Sequence, residues 1–178
     1  MKVFIGGSVS DSIEEKYKKE GEKLVELIVK NNIDVICCAD LRGMIGLLYT
    51  KMKEKNENKI ILTLPKIYLK YAKDIEDKID ILTDNINERT EKSIKEAACC
   101  LFMPGGIGTT YEILSCIETK RAGEHNNRIV IVNSYGFYDD FLNMIDNMEQ
   151  KGFVNSEDKN NFKVVNTVEE AINYLIKK

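Results

Sequence analysis

The sequence predicts an α/β fold, a doubly wound, Rossmann-like parallel sheet with helices on both faces, built as one domain over residues 1–178. Three observations predict it. Short apolar runs alternate with amphipathic helical segments along the chain, which calls for parallel pairing through right-handed crossovers. The run Ala98–Met103 is apolar throughout, as a buried parallel strand requires. That run passes through three glycines directly into a helical segment, Glu112–Lys120.

The elements follow in order. Lys2–Gly7 is the first strand, and Ser10–Asn31 a long helix with Leu24, Leu27 and Ile28 at helical spacing and an N-cap candidate at Ser10 or Ser12. Ile33–Asp40 is the second strand. Arg42–Asn56 is a helix entered through a glycine-containing turn, and Lys59–Pro65 the third strand, closed by one of only two prolines. A lysine-rich segment, Lys66–Lys78, with helical potential leads to a fourth strand within Lys78–Asn85. Ile86–Ala98 is a helix running up to the strand Ala98–Met103. Arg128–Asn133, Phe137–Gly152, Phe162–Asn166 and Val168–Lys178 then read as strand, helix, strand and helix. No repeat, low-complexity tract or linker marks a domain boundary. In such sheets ligands bind at the carboxyl ends of the strands, near a topological switch point.

Composition narrows the function classes. A net charge of −3 and a pI near 5.4, with basic and acidic residues interspersed, argue against a nucleic-acid binder. A small molecule or a protein is the expected client. The opening apolar run is too short for a signal peptide and no stretch approaches a membrane span, so the expected location is the cytoplasm, with no membrane partner. The five cysteines are Cys37, Cys38, Cys99, Cys100 and Cys116. Four form adjacent pairs in strand-like runs, where neighbours point to opposite faces; they read as buried small hydrophobes, and no metal site is expected. The single histidine, His125, reads as an exposed loop residue rather than a catalytic base.

The most informative stretch is PGGIGTTYE, Pro104 to Glu112. Gly105, Gly106 and Gly108 lie in a strand-to-helix turn, where the missing Cβ lets a ligand approach the main chain and several N–H groups converge on one anion at the positive end of a helix. Thr109 and Glu112 also have the spacing of a capping box, in which Glu112 returns a hydrogen bond to the Thr109 backbone. The two readings are compatible, because Thr109 can cap the helix while Glu112 serves a ligand. The first strand ends in GGSVS and lacks the GxGxxG spacing, and no GxxxxGK[ST] occurs, which leaves a monophosphate-sized site rather than a dinucleotide or triphosphate one. Arg89, at the start of the helix after the fourth strand, either holds an anion through its guanidinium or is a solvated residue paired with Glu88 or Glu91.

PGGIGTTYE resembles the PGGxGTxxE signature of the Lonely Guy (LOG) proteins, cytokinin riboside 5′-monophosphate phosphoribohydrolases that carry an older "lysine decarboxylase-like" label. The similarity runs along most of the chain. INERTEK (Ile86–Lys92) is similar to the family's M-x-x-R-K segment, with Arg89 on its arginine; RGMIGLL resembles the end of the GGGxxGLM loop; and Gly136–Val154 resembles the family's post-strand helix. The resemblance implies hydrolysis of the N-glycosidic bond of a nucleoside 5′-monophosphate, with Arg89 and Glu112 catalytic and Gly6, Ser8, Gly43, Gly105, Gly106, Gly108 and Thr109 binding substrate or phosphate. It also implies a homodimer, for which the apolar helices around Leu47 and Ile113 offer faces that periodicity cannot distinguish from core. The chain departs from the pattern at Thr90, Ile86 and Tyr111, at Leu41 and Arg42 of the second loop, and at Gly6–Ser8, where the family has GSSxG. These departures imply a nucleotide substrate that need not be a cytokinin. Decarboxylation of lysine needs a pyridoxal-phosphate lysine, and nothing suggests one, so no cofactor is expected. Two other readings remain: a nucleotide-binding or sensing module that does no chemistry, and a transferase of the nucleoside deoxyribosyltransferase type.

Overall fold

The computed structural model describes residues 1–55 and 58–177. Its strands are β1 (Lys2–Gly6), β2 (Asp34–Cys38), β3 (Ile60–Pro65), β4 (Ile81–Thr83), β5 (Cys99–Phe102), β6 (Arg128–Val132) and β7 (Lys163–Val165). Its helices are α1 (Glu15–Lys30), α2 (Gly43–Lys55), α3 (Ile86–Glu96), α4 (Ile107–Arg121), α5 (Asp139–Gln150) and α6 (Val168–Ile176). The strands form one parallel sheet in the order β4-β3-β2-β1-β5-β6-β7. The chain therefore winds outward from β1 to β4, crosses back to pair β5 with β1, and winds outward again. The expected doubly wound architecture is present, with its switch point between β1 and β5.

Side-chain alternation along the strands sorts the core into two layers. Val3, Ile5, Val35, Cys37, Leu62, Leu101 and Val130 pack against Leu24, Val25 and Ile28 of α1, Met44, Ile45 and Met52 of α2, and Ile172 and Leu175 of α6. On the other face Phe4, Ile36, Cys100, Phe102, Ile129 and Ile131 meet Ile94 of α3, Ile113 and Cys116 of α4, and Tyr138. Phe4 and Phe102 lie edge to face at 5.7 Å beside the switch point. Four of the five cysteines are buried, Cys38 is half-buried, and all five are free thiols. Ile113 belongs to the core at 0% exposure, whereas Leu47 is half-buried and lies within reach of Gly21 of α1.

Several element boundaries differ from expectation. α1 starts at Glu15 rather than near Ser10 or Ser12, and its N-cap, Glu14, makes no side-chain capping bond. The serine hydroxyls are used locally instead: Ser8 Oγ accepts the Ser10 N–H and Ser10 Oγ that of Ser12, the short-range bonding by which serine competes with helix. The lysine-rich segment forms two 3₁₀ helices, Lys66–Tyr71 and Lys73–Lys78. β4 is three residues long, since it is an edge strand paired only with β3. The expected ends of the second and last helices, Asn56 and Lys178, lie outside the described residues.

Candidate functional site

The carboxyl ends of β1 and β5 meet at the switch point, where the Met103 N–H donates to the Gly6 carbonyl (2.9 Å). Beyond β5 the chain bends through Pro104 and Gly105 into α4, whose N-cap is Gly106 with no side-chain cap. Glycine is required at 105, because a Cβ there would lie 2.2 Å from Thr109 Oγ1. Gly106 and Gly108 are different: a Cβ at either would meet nothing within 4 Å. Thr109 is buried. It lies inside the first turn of α4 rather than at its N-cap, so the capping box does not form, and Glu112 is released for other partners.

That partner is Arg89. Asn85 caps α3 by accepting the Glu88 N–H on its side chain (3.0 Å), which sets the first turn so that Arg89 points inward. Arg89 Nη1 donates to Glu112 Oε1, and the two residues are 7% and 6% exposed. The pairing with Glu88 or Glu91 is therefore not the one adopted; those carboxylates bond Lys92 and Lys95 one helical turn away. Arg89 Nε is buried with no hydrogen-bond partner among the described residues. Gly6 forms the floor under the acid, for its Cβ would stand 2.6 Å from Glu112 Oε2 and 2.7 Å from Phe102 Cδ1. Gly6→Ala is expected to push the Glu112 carboxylate out of its pocket and to break its bond to Arg89, while leaving a folded sheet. A crystal structure of the variant with the carboxylate in its original position would contradict this.

Electrostatics distinguishes the two partners. Burial pushes the Glu112 carboxyl above its ordinary value, and the Arg89 guanidinium pulls it only part of the way back. Burial also disfavours the Arg89 charge, but the Glu112 carboxylate more than offsets it, so Arg89 stays cationic. The result is a carboxylate held close to a fixed cation yet more basic than one in water, the property a general base needs.

The structure thus brings Gly6, Arg89, Gly105, Thr109 and Glu112 together around the β1 and β5 ends. Ser8 and Gly43 are a short way off and bonded to protein. The Ser8 carbonyl accepts the Met44 and Ile45 N–H groups (2.9 and 3.2 Å), and the Gly43 N–H donates to Asp11 Oδ1 (2.8 Å), with Gly43 at φ +58°. They brace the loop after β1 against the start of α2. Arg42 pairs with Asp40 beside them. A second rung between α3 and α4, Tyr111 Oη donating to Asn87 Oδ1 at 2.7 Å, was not foreseen; two polar residues 24 positions apart carry no periodic signal. His125 is half-buried, not an exposed loop residue. Its Nδ1 accepts the Asn127 N–H, which leaves the proton on Nε2 to donate to the Cys116 carbonyl (3.0 Å), and burial lowers its pKa. It packs against the C-terminal half of α4, with Thr119 Oγ1 3.2 Å from Nε2. Cavities of about 260 and 340 Å³ lie elsewhere, one beside Tyr49, Asn58 and Asp80 and one beside Leu142, Lys159 and Phe162.

The fold and site together are those of a doubly wound α/β protein with an uncapped helix N-terminus and a buried arginine–glutamate pair at the sheet's switch point. Residues 42–175 match the family described as possible lysine decarboxylase, and the chain belongs to that family, which is that of the LOG proteins. Among its relatives, cytokinin riboside 5′-monophosphate phosphoribohydrolase LOG2 of Arabidopsis thaliana is 26% identical over 155 residues, covering 86% of this chain and 71% of the relative. The enzyme LOG of Oryza sativa subsp. japonica is 26% identical over 139 residues, covering 78% of this chain and 57% of that protein. The fold is shared with the molybdenum cofactor carrier protein of Chlamydomonas reinhardtii (TM-score 0.68, 16% identity, 97% of this chain and 94% of that one). It is also shared with DNA processing protein A of Helicobacter pylori (TM-score 0.58, 13% identity, 99% and 80%). Among the described residues no helix is long and apolar enough to cross a membrane.

Proposed function

We propose that the chain hydrolyses the N-glycosidic bond of a nucleoside 5′-monophosphate, releasing the free base and ribose 5-phosphate. The observation that carries this reading is the buried Arg89–Glu112 pair directly behind an uncapped α4 N-terminus. The names of the relatives point to the same reaction class. The 5′-phosphate binds the N–H groups at the start of α4, in the direction the helix dipole favours. Gly106 and Gly108, which no protein atom requires to be glycine, keep the main chain bare for that approach. Glu112 lies about 4.5 Å along the helix axis from Thr109, and its side chain leans back toward the N-terminus, within reach of the ribose of a phosphate-anchored nucleotide.

In this mechanism the Glu112 carboxylate faces the anomeric carbon. It stabilises positive charge as the C1′–N bond breaks with its electron pair on the base, then takes a proton from the water that forms the C1′–O bond. The departing base takes up a proton from solvent and Glu112 releases the water's proton to solvent, which restores the carboxylate. Arg89 holds Glu112 ionised and offers its unpartnered Nε–H to an oxygen of the nucleotide. An orphaned buried donor costs about 1–3 kcal/mol, which a bound acceptor recovers. One folded unit over residues 1–178 and a homodimeric assembly in the cytoplasm belong to the same proposal. The decisive experiment incubates the protein with a panel of nucleoside 5′-monophosphates and with the matching nucleosides. Base is expected from at least one monophosphate and at a far lower rate from its nucleoside; no base from any of them would end the proposal.

A second reading, a nucleotide-binding module that performs no chemistry, draws on the closure of the acid. Glu112 is engaged by Arg89, and Tyr111 ties the same two helices at their surface. A nucleotide that binds and is recovered uncleaved is the result that reading expects.

A further inference from the structure

Tyr138 stands behind the anion loop and joins its two ends. The residue is 2% exposed and directly precedes α5. Its hydroxyl donates to the Met103 carbonyl oxygen (2.8 Å), and the Gly105 backbone N–H acts on the same hydroxyl, partly opposing the rise that burial imposes on the phenol's pKa. Those two groups flank Pro104, which has no N–H of its own, so the phenol bridges the bend that aims the main chain into α4. The ring is itself fixed. It packs edge to face against Phe137 (4.9 Å) and Phe141 (6.0 Å). Its backbone N–H donates to Asn133 Oδ1 (2.6 Å), and Asn133 Nδ2 donates to Asp139 Oδ1 (2.7 Å), which anchors the turn to the end of β6. That turn is tight: Tyr135 and Gly136 have φ of +57° and +72°.

We infer that Tyr138 is a positioning residue for the anion site, fixing the Pro104–Gly106 bend so that the N–H groups at the start of α4 converge on the 5′-phosphate. The inference rests on the reading of that loop as a phosphate subsite. Without the hydroxyl, the Met103 carbonyl loses its buried donor, and the bend relaxes to find another. The hydroxyl bonds neither Arg89 nor Glu112, so its loss acts on phosphate binding and leaves the acid in place.

The test uses the full chain and Tyr138→Phe, titrated calorimetrically with inorganic phosphate and assayed on a nucleoside 5′-monophosphate and its nucleoside. The phosphate Kd and the KM for the monophosphate are expected to rise about tenfold, as for one buried hydrogen-bond partner lost, with kcat and the activity on the nucleoside nearly unchanged. Asn133→Ala, which keeps the phenol but loosens its turn, is expected to show a smaller rise in the same two constants. Ile145→Val, a core change in α5, serves as the stability control and is expected to leave phosphate affinity alone. Wild-type phosphate affinity in Tyr138→Phe overturns the inference, as does an equal loss in Ile145→Val or a wild-type protein that binds no phosphate. A wild type that binds phosphate but releases no base defeats only the hydrolase reading, and the phosphate titration still decides the role of Tyr138.

Discussion

Glu112→Gln is expected to lower release of free base from a nucleoside 5′-monophosphate by about 10²–10⁴-fold, the range associated with losing a positioned acid or base. Glutamine keeps the size of the side chain and an oxygen that accepts from Arg89 Nη1, so the site retains its shape. It loses the negative charge facing the anomeric carbon and the ability to take a proton. The proposed phosphate contacts are the N–H groups at the start of α4 and not the carboxylate, so the Kd for inorganic phosphate is expected to stay within about twofold while kcat falls. A variant with unchanged kcat would show that Glu112 only holds Arg89 in place. A variant that also lost its phosphate affinity would show that the carboxylate shapes the loop instead of the reaction.

Arg89→Met is expected to have the largest effect on stability. It leaves the Glu112 carboxylate buried without its counter-charge, a change that costs about 3–5 kcal/mol when one member of a buried ion pair is removed. In a chain of this size that lowers the thermal midpoint by on the order of 10 °C. The double variant Arg89→Met/Glu112→Leu removes both charges and is expected to recover most of the loss, since an apolar pair of similar volume needs no compensation. The pH dependence has a definite sign. Burial raises the Glu112 pKa above its unfolded value of 4.5, so the folded state binds the proton more tightly. The cost of ionising Glu112 is absent below that unfolded value and accrues as pH rises through the folded one. Without Arg89 the folded value climbs further and the cost extends to higher pH. The gap between wild type and Arg89→Met, measured by urea unfolding, is therefore expected to widen from pH 5 to pH 8. A constant gap, or a double variant as unstable as the single one, would show that the loss comes from packing instead of charge.

The frame of the site was legible in the residues. Glycines after an apolar run and before a helical one specify a main chain that bends sharply and is open to a ligand, which is local chemistry that a sequence carries directly. The architecture was legible for the same reason, because strand and helix patterns alternate and parallel pairing follows from that alternation. Other features were not. Thr109 and Glu112 have the spacing of a capping box, yet the helix begins at Ile107, so the spacing does not produce the cap. Ser10 and Ser12 looked like caps for α1, but the Ser10 hydroxyl accepts the Ser12 N–H and the Ser10 N–H goes to the Ser8 hydroxyl. The reading of His125 as exposed missed its bond to the Cys116 carbonyl, nine residues distant and unmarked by any pattern.

The sequence by itself determined the order of strands and helices, the layered core and the position of a glycine-rich bend at a helix start, because these depend on local backbone preferences and on apolar periodicity. Only the tertiary structure decided what Arg89 and Glu112 do. They lie 23 residues apart on different helices, and it is the packing of α3 and α4 over one face of the sheet that buries them together and turns two solvated charges into one coupled pair. The same holds for Gly6, whose missing Cβ has meaning only once the chain returns from the far edge of the sheet to place β5 beside β1 and Glu112 above it. Contacts of this kind depend on distance in space, and a linear pattern records distance along the chain.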